Sequence, residues 1–388
     1  MSTRLPTAAW AVLGGAMWAG IALLAARMFA TVPPTAGFDL ELLLAAGRAV
    51  AAGGSPYNPS IVAGVAPVGT SLFYSYPPLV AQAAAFVAAL PSSVVFAIWS
   101  IAAVAGVGAA ALALRARLAP YLDGRVVAAG SIAASAVVLP FAIAIIFGNL
   151  DAFFPLLYGL LLVGCLSTRP RDQVIGGAAL ALAVLAKVHP AVLLLWLVAR
   201  LVRVRRDEGF SPIVRVLAGA AGTAAVLVAI SLVFGGADAW REYVRVVAVM
   251  SGAELSDLRN AGPAAQLALL LGGDSGLVRL IHLPVALGAI ALTAWAALAR
   301  RDTLESLAYG AAASLFILPV TWYHYPSALI PFGIGAMLRA VGTPAATRVA
   351  VLLGAACVLA AVGLVWAPLL WVAVGLVVAA VARSGKHR

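Results

Sequence analysis

Charged residues are scarce in this chain of 388 amino acids, and they make up only 10% of it. Hydrophobic residues account for 64%, and the mean hydropathy is +1.07. One water-soluble core cannot enclose that much apolar surface, so a soluble globular domain is excluded. The two cysteines, Cys165 and Cys357, lie inside apolar runs and indicate no disulfide framework.

Long apolar runs, separated by charged or Pro- and Gly-rich breaks, predict an all-α integral membrane protein. A run of about 20 apolar residues crosses a hydrocarbon layer of roughly 30 Å, and the runs predict about twelve crossings. The first is interpreted as an uncleaved helix rather than a signal peptide, because further spans follow it. We predict a single polytopic domain over residues 1–388. The predicted helices lie near residues 8–30, 93–114, 126–147, 151–166, 174–187, 190–202, 213–234, 277–299, 304–320, 325–341, 349–365 and 367–382.

Basic residues fall mostly in alternate loops, and this asymmetry predicts the orientation. The positive-inside rule places those loops and both termini on the cytoplasmic side of the membrane, which is predicted to be the cell membrane. The net charge of +11 is therefore topological and gives no indication of nucleic acid. Two long loops, about residues 31–92 and 235–266, then face outward, and each contains a predicted surface helix. Residues 76–90 are short for a span and are predicted to be re-entrant or interfacial.

The unusual polar side chains gather in the outer loops or at the outer ends of helices. At bilayer depth a charge costs roughly 2.5 to 3.5 kcal/mol, so such residues indicate function. We predict a site where these chain-distant segments meet, and a ligand that is anionic, polar or both. The residues are Asp39, Glu41, Tyr74, Tyr76, Asn149, Asp151, Lys187, His189, Asp257, Arg259, Asn260, Trp322, Tyr323 and His324.

Structural alternatives stay open for several of them. Asp39 precedes a helix, where both an N-cap and a catalytic carboxylate fit. Lys187 is either a snorkelling anchor or a ligand-binding cation, and Arg259 is either a solvated loop charge or an anion clamp. The spacing of Asp39 and Glu41 resembles metal-binding acidic pairs, but two carboxylates are weak evidence, and we predict no metal.

Five short sequence elements at this predicted face contain most of these polar residues. They are Gly37-Phe38-Asp39-Leu40, Tyr74-Ser75-Tyr76-Pro77-Pro78, Phe147-Gly148-Asn149-Leu150-Asp151, Ala186-Lys187-Val188-His189-Pro190 and Leu318-Pro319-Val320-Thr321-Trp322-Tyr323-His324-Tyr325. In this order they resemble the motifs of glycosyltransferase family 87. Its members are membrane enzymes of the GT-C class that depend on polyprenyl-phosphate sugars, the phosphatidylinositol-mannoside mannosyltransferases among them. The chain departs from the family pattern at Asn149, Asp151 and Tyr325, where Gln, Asn and a second His are usual.

The resemblance implies a GT-C-type helical bundle and a reaction. A sugar, mannose by family habit, would pass from a polyprenyl-phosphate donor to a lipid or glycan acceptor on the extracytoplasmic face, with inversion and without a metal or other cofactor. Asp39 would be the general base, and His324 would assist it or contact the phosphate. A structural role at a helix end stays open for His324 and for His189. Lys187, Arg259 and His189 would bind the donor phosphate. The predicted substrate contacts are Glu41, Tyr74, Tyr76, Asn149, Asp151, Trp322 and Tyr323. The alternative is a transporter or flippase for a lipid-linked sugar or organic anion, whose expected signature is repeated halves with polar groups at mid-membrane.

Overall fold

The computed structural model describes residues 7–31, 36–65, 73–207, 211–255 and 257–385, and within these ranges the chain is helical without β-strands. The α-helices are α1 (Thr7–Thr31), α2 (Phe38–Ala51), α3 (Pro59–Val62), α4 (Pro78–Ala85), α5 (Ser92–Leu118), α6 (Gly124–Ser135), α7 (Leu139–Phe147), α8 (Phe154–Leu166), α9 (Pro170–Ala186), α10 (Val192–Asp207), α11 (Ser211–Ala253), α12 (Pro263–Leu270), α13 (Ser275–Ala299), α14 (Thr303–Ser314), α15 (Ile330–Ala340), α16 (Ala346–Val362) and α17 (Pro368–Ser384). Short 3-10 helices occupy Leu150–Phe153, His189–Ala191 and Tyr325–Leu329. The predicted all-α class is confirmed.

Several of these helices have the length and composition of membrane spans. Among the described residues, Ala8–Arg27, Ser92–Leu118, Pro212–Val249 and Ser275–Ala299 are long and apolar enough to cross a membrane. Leu150–Leu166, Ala346–Val362 and Pro368–Ser384 are apolar but shorter. Every predicted crossing corresponds to a helical segment, so a membrane protein is supported. The number of twelve crossings stays a prediction.

The predicted helix over residues 126–147 is broken in the structure, so its prediction as one continuous helix is wrong. Helices α6 and α7 meet at an angle of 78°. Pro140 lies at the start of α7 and has no backbone N–H to continue the hydrogen-bond ladder from α6. The backbone leaves helical dihedral angles at Val138, with φ −83° and ψ 89°. The bend directs the C-terminal end of α7 towards the start of α2.

Helix α14 ends earlier than predicted, at Ser314 instead of near residue 320. Pro319 cannot donate a backbone hydrogen bond, and the backbone N–H of Thr321 donates instead to Asn260 Oδ1 at 3.0 Å. Residues 315–324 are therefore not part of a regular helix. This connection carries Trp322, Tyr323 and His324.

The two long loops that are predicted to face outward contain helices as expected, α2 in the first and the last part of α11 in the second. Their side of the membrane stays a prediction. The second begins at a break in α11, where Gly236 adopts φ 67° and ψ 177°. Gln82 of α4 donates to the nearby Ser231 carbonyl oxygen at 3.0 Å, so that carbonyl has a hydrogen bond beside the break. Helix α4 has eight residues and spans about 12 Å, which agrees with an interfacial or re-entrant segment.

The largest described core cluster lies among α5, α8, α10, α14, α15 and α17. Trp196, Phe154 and Phe332 are fully enclosed in it. Trp196 also satisfies its one polar atom, because its Nε1 donates to Ser306 Oγ at 2.9 Å. This packed bundle forms a rigid base under the connections between helices, where the polar residues lie.

Candidate active site

A cavity of about 1210 Å³ opens where several helices begin or end. Its wall includes the start of α2, the connection between α7 and α8, the end of α9, the residues that follow α11, and the connection before α15. The polar and aromatic residues of the wall are Asp39, Ser75, Tyr76, Asn149, Lys187, Tyr243, Glu254, Arg259, Gln266, Trp322, Tyr323, His324 and Tyr325. Eight of the predicted site residues thus meet in one cavity: Asp39, Tyr76, Asn149, Lys187, Arg259, Trp322, Tyr323 and His324.

Two glycines bring Asp39 into this wall. Gly37 has φ 67°, precedes α2 as its N-cap, and its N–H donates to the Ile146 carbonyl at 2.7 Å. Gly148 has φ 66° at the end of α7, and a Cβ atom there would lie only 2.6 Å from Leu40 Cβ. The start of α2 therefore rests directly on the end of α7. Because Gly37 is the N-cap residue and has no side chain to cap with, the alternative of Asp39 as N-cap is wrong.

Asn149 links the acidic and the basic side of the cavity. Its Oδ1 accepts from Lys187 Nζ at 3.1 Å and from the Asp151 backbone N–H at 2.9 Å. Its Nδ2 donates to Asp39 Oδ2 at 2.6 Å and to Tyr76 Oη at 3.4 Å. An ammonium and a backbone N–H can only donate, so these partners fix which way the amide points. The carboxylate of Asp39 and the ammonium of Lys187 are consequently separated by one amide group.

Lys187 has its own buried counter-ion. It lies in an extended break between α9 and the following 3-10 helix, with φ −148° and ψ 142°. Its Nζ is 2.9 Å from Asp151 Oδ2, and both side chains are buried, 9% and 0% exposed. His324 Nε2 lies 3.1 Å from the same oxygen without the alignment of a good hydrogen bond. The other oxygen, Asp151 Oδ1, has no hydrogen-bond partner within the described part of the chain. Asp151 is not part of the cavity wall and orients Lys187 and His324 from behind.

Arg259 enters the wall already paired. Its Nε and Nη2 donate to the two carboxylate oxygens of Asp257 at 3.0 and 2.6 Å. This fork holds the pKa of Asp257 below its ordinary value and raises that of Arg259. The guanidinium carbon lies 5.8 Å from the centre of the Trp322 ring, and the side chain is half exposed. The Nη1 group takes no part in this pair and can donate to a ligand.

Asn260 joins the segment after α11 to the connection before α15. Its Nδ2 donates to the carbonyls of Leu255 (3.2 Å) and Pro319 (3.0 Å). Its Oδ1 accepts from the N–H groups of Gly262 (2.9 Å) and Thr321 (3.0 Å). A fully buried amide with all of these bonds made is a rigid connection. It fixes Arg259 and Trp322 relative to each other.

Besides Asp151, Asp257 and Asn260, three further predicted site residues lie outside the cavity wall that the described residues form. Glu41 is on the exposed flank of α2, 44% exposed and 3.6 Å from Arg48 Nη2. Tyr74 is buried and its hydroxyl donates to the Pro77 carbonyl at 2.6 Å, so it supports the Tyr-Pro-Pro turn. His189 is fully buried and stacks on Tyr325 with ring centres 4.8 Å apart.

The wall also contains polar residues that the sequence did not single out, Glu254, Gln266 and Tyr243. Burial, with the negative charge of Asp257, raises the pKa of Glu254 to about 7, and the charge of Asp39 acts in the same direction. The sequence signal for Glu254 was its position alone. Glu254 follows an apolar helical stretch in a loop that is predicted to face outward, and it precedes Asp257 and Arg259 by a few residues.

The fold and the cavity define a helical membrane protein in which a carboxylate and a cationic pocket lie side by side at the ends of several helices. A family model, glycosyltransferase family 87, matches residues 74–321. Since this match covers more than half of the chain, the protein belongs to glycosyltransferase family 87, as its motifs indicated. The matched residues include Asn149 and Lys187, whereas Asp39 lies well before the match and His324 three residues after it. No curated protein and no solved structure matches the chain.

Proposed function

We propose that this glycosyltransferase moves a sugar, mannose by family habit, from a polyprenyl-phosphate donor to a hydroxyl of a lipid or glycan acceptor. The reaction would take place at the extracytoplasmic face of the cell membrane, with both termini in the cytoplasm. The observation that carries the proposal is the Asn149 amide, which holds the Asp39 carboxylate at 2.6 Å on one end and the Lys187 ammonium at 3.1 Å on the other. A proton acceptor and an anion-binding cation are the two groups that such a transfer needs.

In this proposal the proton and the leaving group depart on opposite sides. Asp39 accepts the proton of the acceptor hydroxyl while the oxygen of that hydroxyl attacks the anomeric carbon of the sugar. The bond from that carbon to the phosphate oxygen breaks, and the phosphate leaves with the electron pair. Attack opposite to the leaving group inverts the anomeric centre. No covalent sugar–enzyme intermediate is involved.

Lys187 and Arg259 would bind the phosphate and stabilise the charge that it gains on leaving. Lys187 is held in place by its buried carboxylate partner, so it needs little reorganisation when the donor binds. The position of His324 supports phosphate contact rather than assistance to Asp39, because its Nε2 lies beside Asp151 and hence beside Lys187. These contacts supply positive charge without a metal, and we propose a metal-independent reaction.

The lipid tail of the donor would leave the cavity across an apolar rim. Leu258, Leu364 and Val365 line the cavity and are 81%, 55% and 90% exposed. Large apolar side chains exposed beside a polar cavity suit contact with lipid. A tail at this rim would keep the phosphate at the cavity and the isoprenoid chain in the bilayer.

The transporter alternative has less support. It predicts repeated halves with polar groups at mid-membrane, whereas the polar groups here lie at the ends of helices, and the family consists of glycosyltransferases.

A reconstitution experiment tests the proposal. The purified protein in lipid nanodiscs is incubated with labelled polyprenyl-phosphate mannose, or the corresponding glucose donor, together with lipid and glycan acceptors. We expect label in a new product whose anomeric configuration is inverted by NMR, and release of polyprenyl phosphate in equal amount. The matched control is Asp39→Asn. Product formation at the same rate by that variant, or no product from any donor, would contradict the proposal.

A further inference from the structure

Glu254 is a carboxylate in the cavity that the proposed transfer does not use. It lies in the turn that follows α11 and shares the wall with Asp39 and Lys187. Within the described residues, no group donates a hydrogen bond to its side-chain carboxyl, and no cation lies within ion-pair distance of it. A partly buried carboxyl that faces a cavity without partners is available to a ligand.

The cations of the cavity are already paired with other carboxylates. Lys187 pairs with Asp151 at 2.9 Å, and Arg259 pairs with Asp257 at 2.6 Å. Within the described residues, Glu254 therefore has no direct ion pair with either of these phosphate-binding residues. A phosphate placed against Glu254 would be repelled by it, so this carboxylate belongs to a different part of the substrate.

Hydroxyl groups are ligands that suit an ionised carboxylate, since each can donate a hydrogen bond to it. Aromatic faces nearby are apolar surfaces suited to the C–H faces of a sugar ring, and Tyr243 and Trp322 supply them in the same wall. Gln266, also in the wall, adds an amide that donates and accepts.

We propose that Glu254 is an acceptor-binding residue, which holds hydroxyls of the acceptor beside Asp39 and selects an uncharged sugar or polyol over an anionic group. This inference rests on the proposed function, because only that function makes the bound molecule the acceptor of a sugar. It deepens that function by naming the chemical class of the group that receives the sugar.

Such a role gives acceptor binding a pH dependence. The groups that act on Glu254 are Asp39 of α2, Lys187 at the end of α9, Tyr325 before α15, and Asp257 and Arg259 of its own segment. Burial and the two aspartates raise the pKa of Glu254 to about 7. Its charged form therefore increases from about a tenth to about nine tenths between pH 6 and pH 8. Affinity for an uncharged sugar is expected to rise about tenfold over that interval.

The test uses the full chain in nanodiscs with Glu254→Gln, which removes the charge and keeps the shape. The control is Glu242→Gln, the same change in a half-buried residue outside the cavity wall, where Gln still accepts from Ser55 Oγ. We expect the acceptor KM to rise about tenfold in Glu254→Gln, since a hydrogen bond to a charged carboxylate becomes a weaker one to a neutral amide. The donor KM is expected to stay within about twofold, and melting temperatures show whether each variant is folded.

A binding measurement without donor separates this inference from the proposed reaction. The probes are octyl mannoside and its 6-carboxylate, titrated into wild type and variant at pH 6 and pH 8, with empty nanodiscs as background. We expect wild type to bind octyl mannoside about tenfold more tightly at pH 8, and the variant to lose both this dependence and the preference for the uncharged probe. If wild type fails to use polyprenyl-phosphate mannose but shows this binding, the donor is wrong and the inference stands.

Two results would overturn the role of Glu254. One is an unchanged acceptor KM and probe affinity in a folded Glu254→Gln protein. The other is a raised donor KM with an unchanged acceptor KM, which would move Glu254 to the donor sugar. If the variant does not fold, the pH dependence of octyl mannoside binding to wild type decides, and a flat profile between pH 6 and pH 8 rejects the proposal.

Discussion

Replacing Asp39 by Asn is the sharpest test of the proposed chemistry. Asparagine keeps the size of the side chain and can still accept the hydrogen bond from Asn149 Nδ2, but it cannot take a proton. Loss of a general base lowers rates by roughly 10² to 10⁴, which corresponds to about 2.7 to 5.5 kcal/mol of activation free energy. We therefore expect kcat to fall by that factor.

The effect on stability should be smaller. A hydrogen bond to a charged group becomes a neutral one, and the first turn of α2 loses a negative charge near the helix N-terminus. Together these changes cost about 1 to 2 kcal/mol. No capping bond is lost, because Gly37 rather than Asp39 is the N-cap. A fall in rate much larger than the change in melting temperature can explain would thus reflect chemistry.

Donor binding should survive in Asp39→Asn, since Lys187 keeps its bonds to Asn149 and Asp151. The assay is a single-turnover measurement with labelled donor, beside a separate donor-binding titration. Glu41→Gln is the comparison, because it removes a carboxylate from the same helix at a residue outside the cavity wall, and it should keep near-normal turnover. The reasoning would be refuted by an Asp39→Asn protein whose kcat stays within about threefold of wild type at saturating donor, or by an equal loss in Glu41→Gln.

Three other substitutions test the surroundings of Asp39. Lys187→Met should weaken donor binding and, because it leaves Asp151 buried and unpaired, lower stability by about 3 to 5 kcal/mol; adding Asp151→Asn should restore the melting temperature without restoring donor binding. Gly148→Ala should destabilise by about 1 to 3 kcal/mol and reduce kcat, since a left-handed residue gains a Cβ atom 2.6 Å from Leu40 Cβ; normal melting and turnover would show that α2 does not depend on this contact. Arg259→Lys should raise the donor KM several-fold and leave the acceptor KM unchanged. Lysine lacks the planar guanidinium, which can bind a carboxylate and a phosphate at the same time. An unaffected donor KM would remove Arg259 from the phosphate site.

The sequence was informative wherever the bilayer constrains it. Apolar runs gave the helical segments, and the cost of placing charge in lipid made Asp39 and Lys187 conspicuous at helix ends. It did not show that α6 and α7 are separate helices, because proline is tolerated in membrane helices and Pro140 alone does not decide whether one bends.

The sequence also could not show which of these polar side chains reach the cavity, and the reason is different. Asp151 and Asn149 are two residues apart in one turn, yet only Asn149 reaches the cavity, because the 3-10 helix turns Asp151 towards Lys187 and His324. Glu254 gave no sequence signal beyond its position before Asp257 and Arg259. Its unusual environment exists only once the end of α11 is packed against segments that carry Asp39 and Lys187, more than 60 residues away along the chain.

The pairing of both cations explains how the cavity can bind an anion and exist without one. An unpaired lysine at 9% exposure would carry a large desolvation penalty, so Asp151 is needed for folding and remains in place when the donor binds. Arg259 differs, because its side chain is 51% exposed and its pair with Asp257 is screened by solvent. Its guanidinium can shift from sharing with Asp257 to contacting phosphate at small cost, whereas Lys187 is fixed. One rigid and one adjustable cation suit a leaving group whose charge grows as it departs, since Lys187 positions the phosphate in the ground state and Arg259 can follow it.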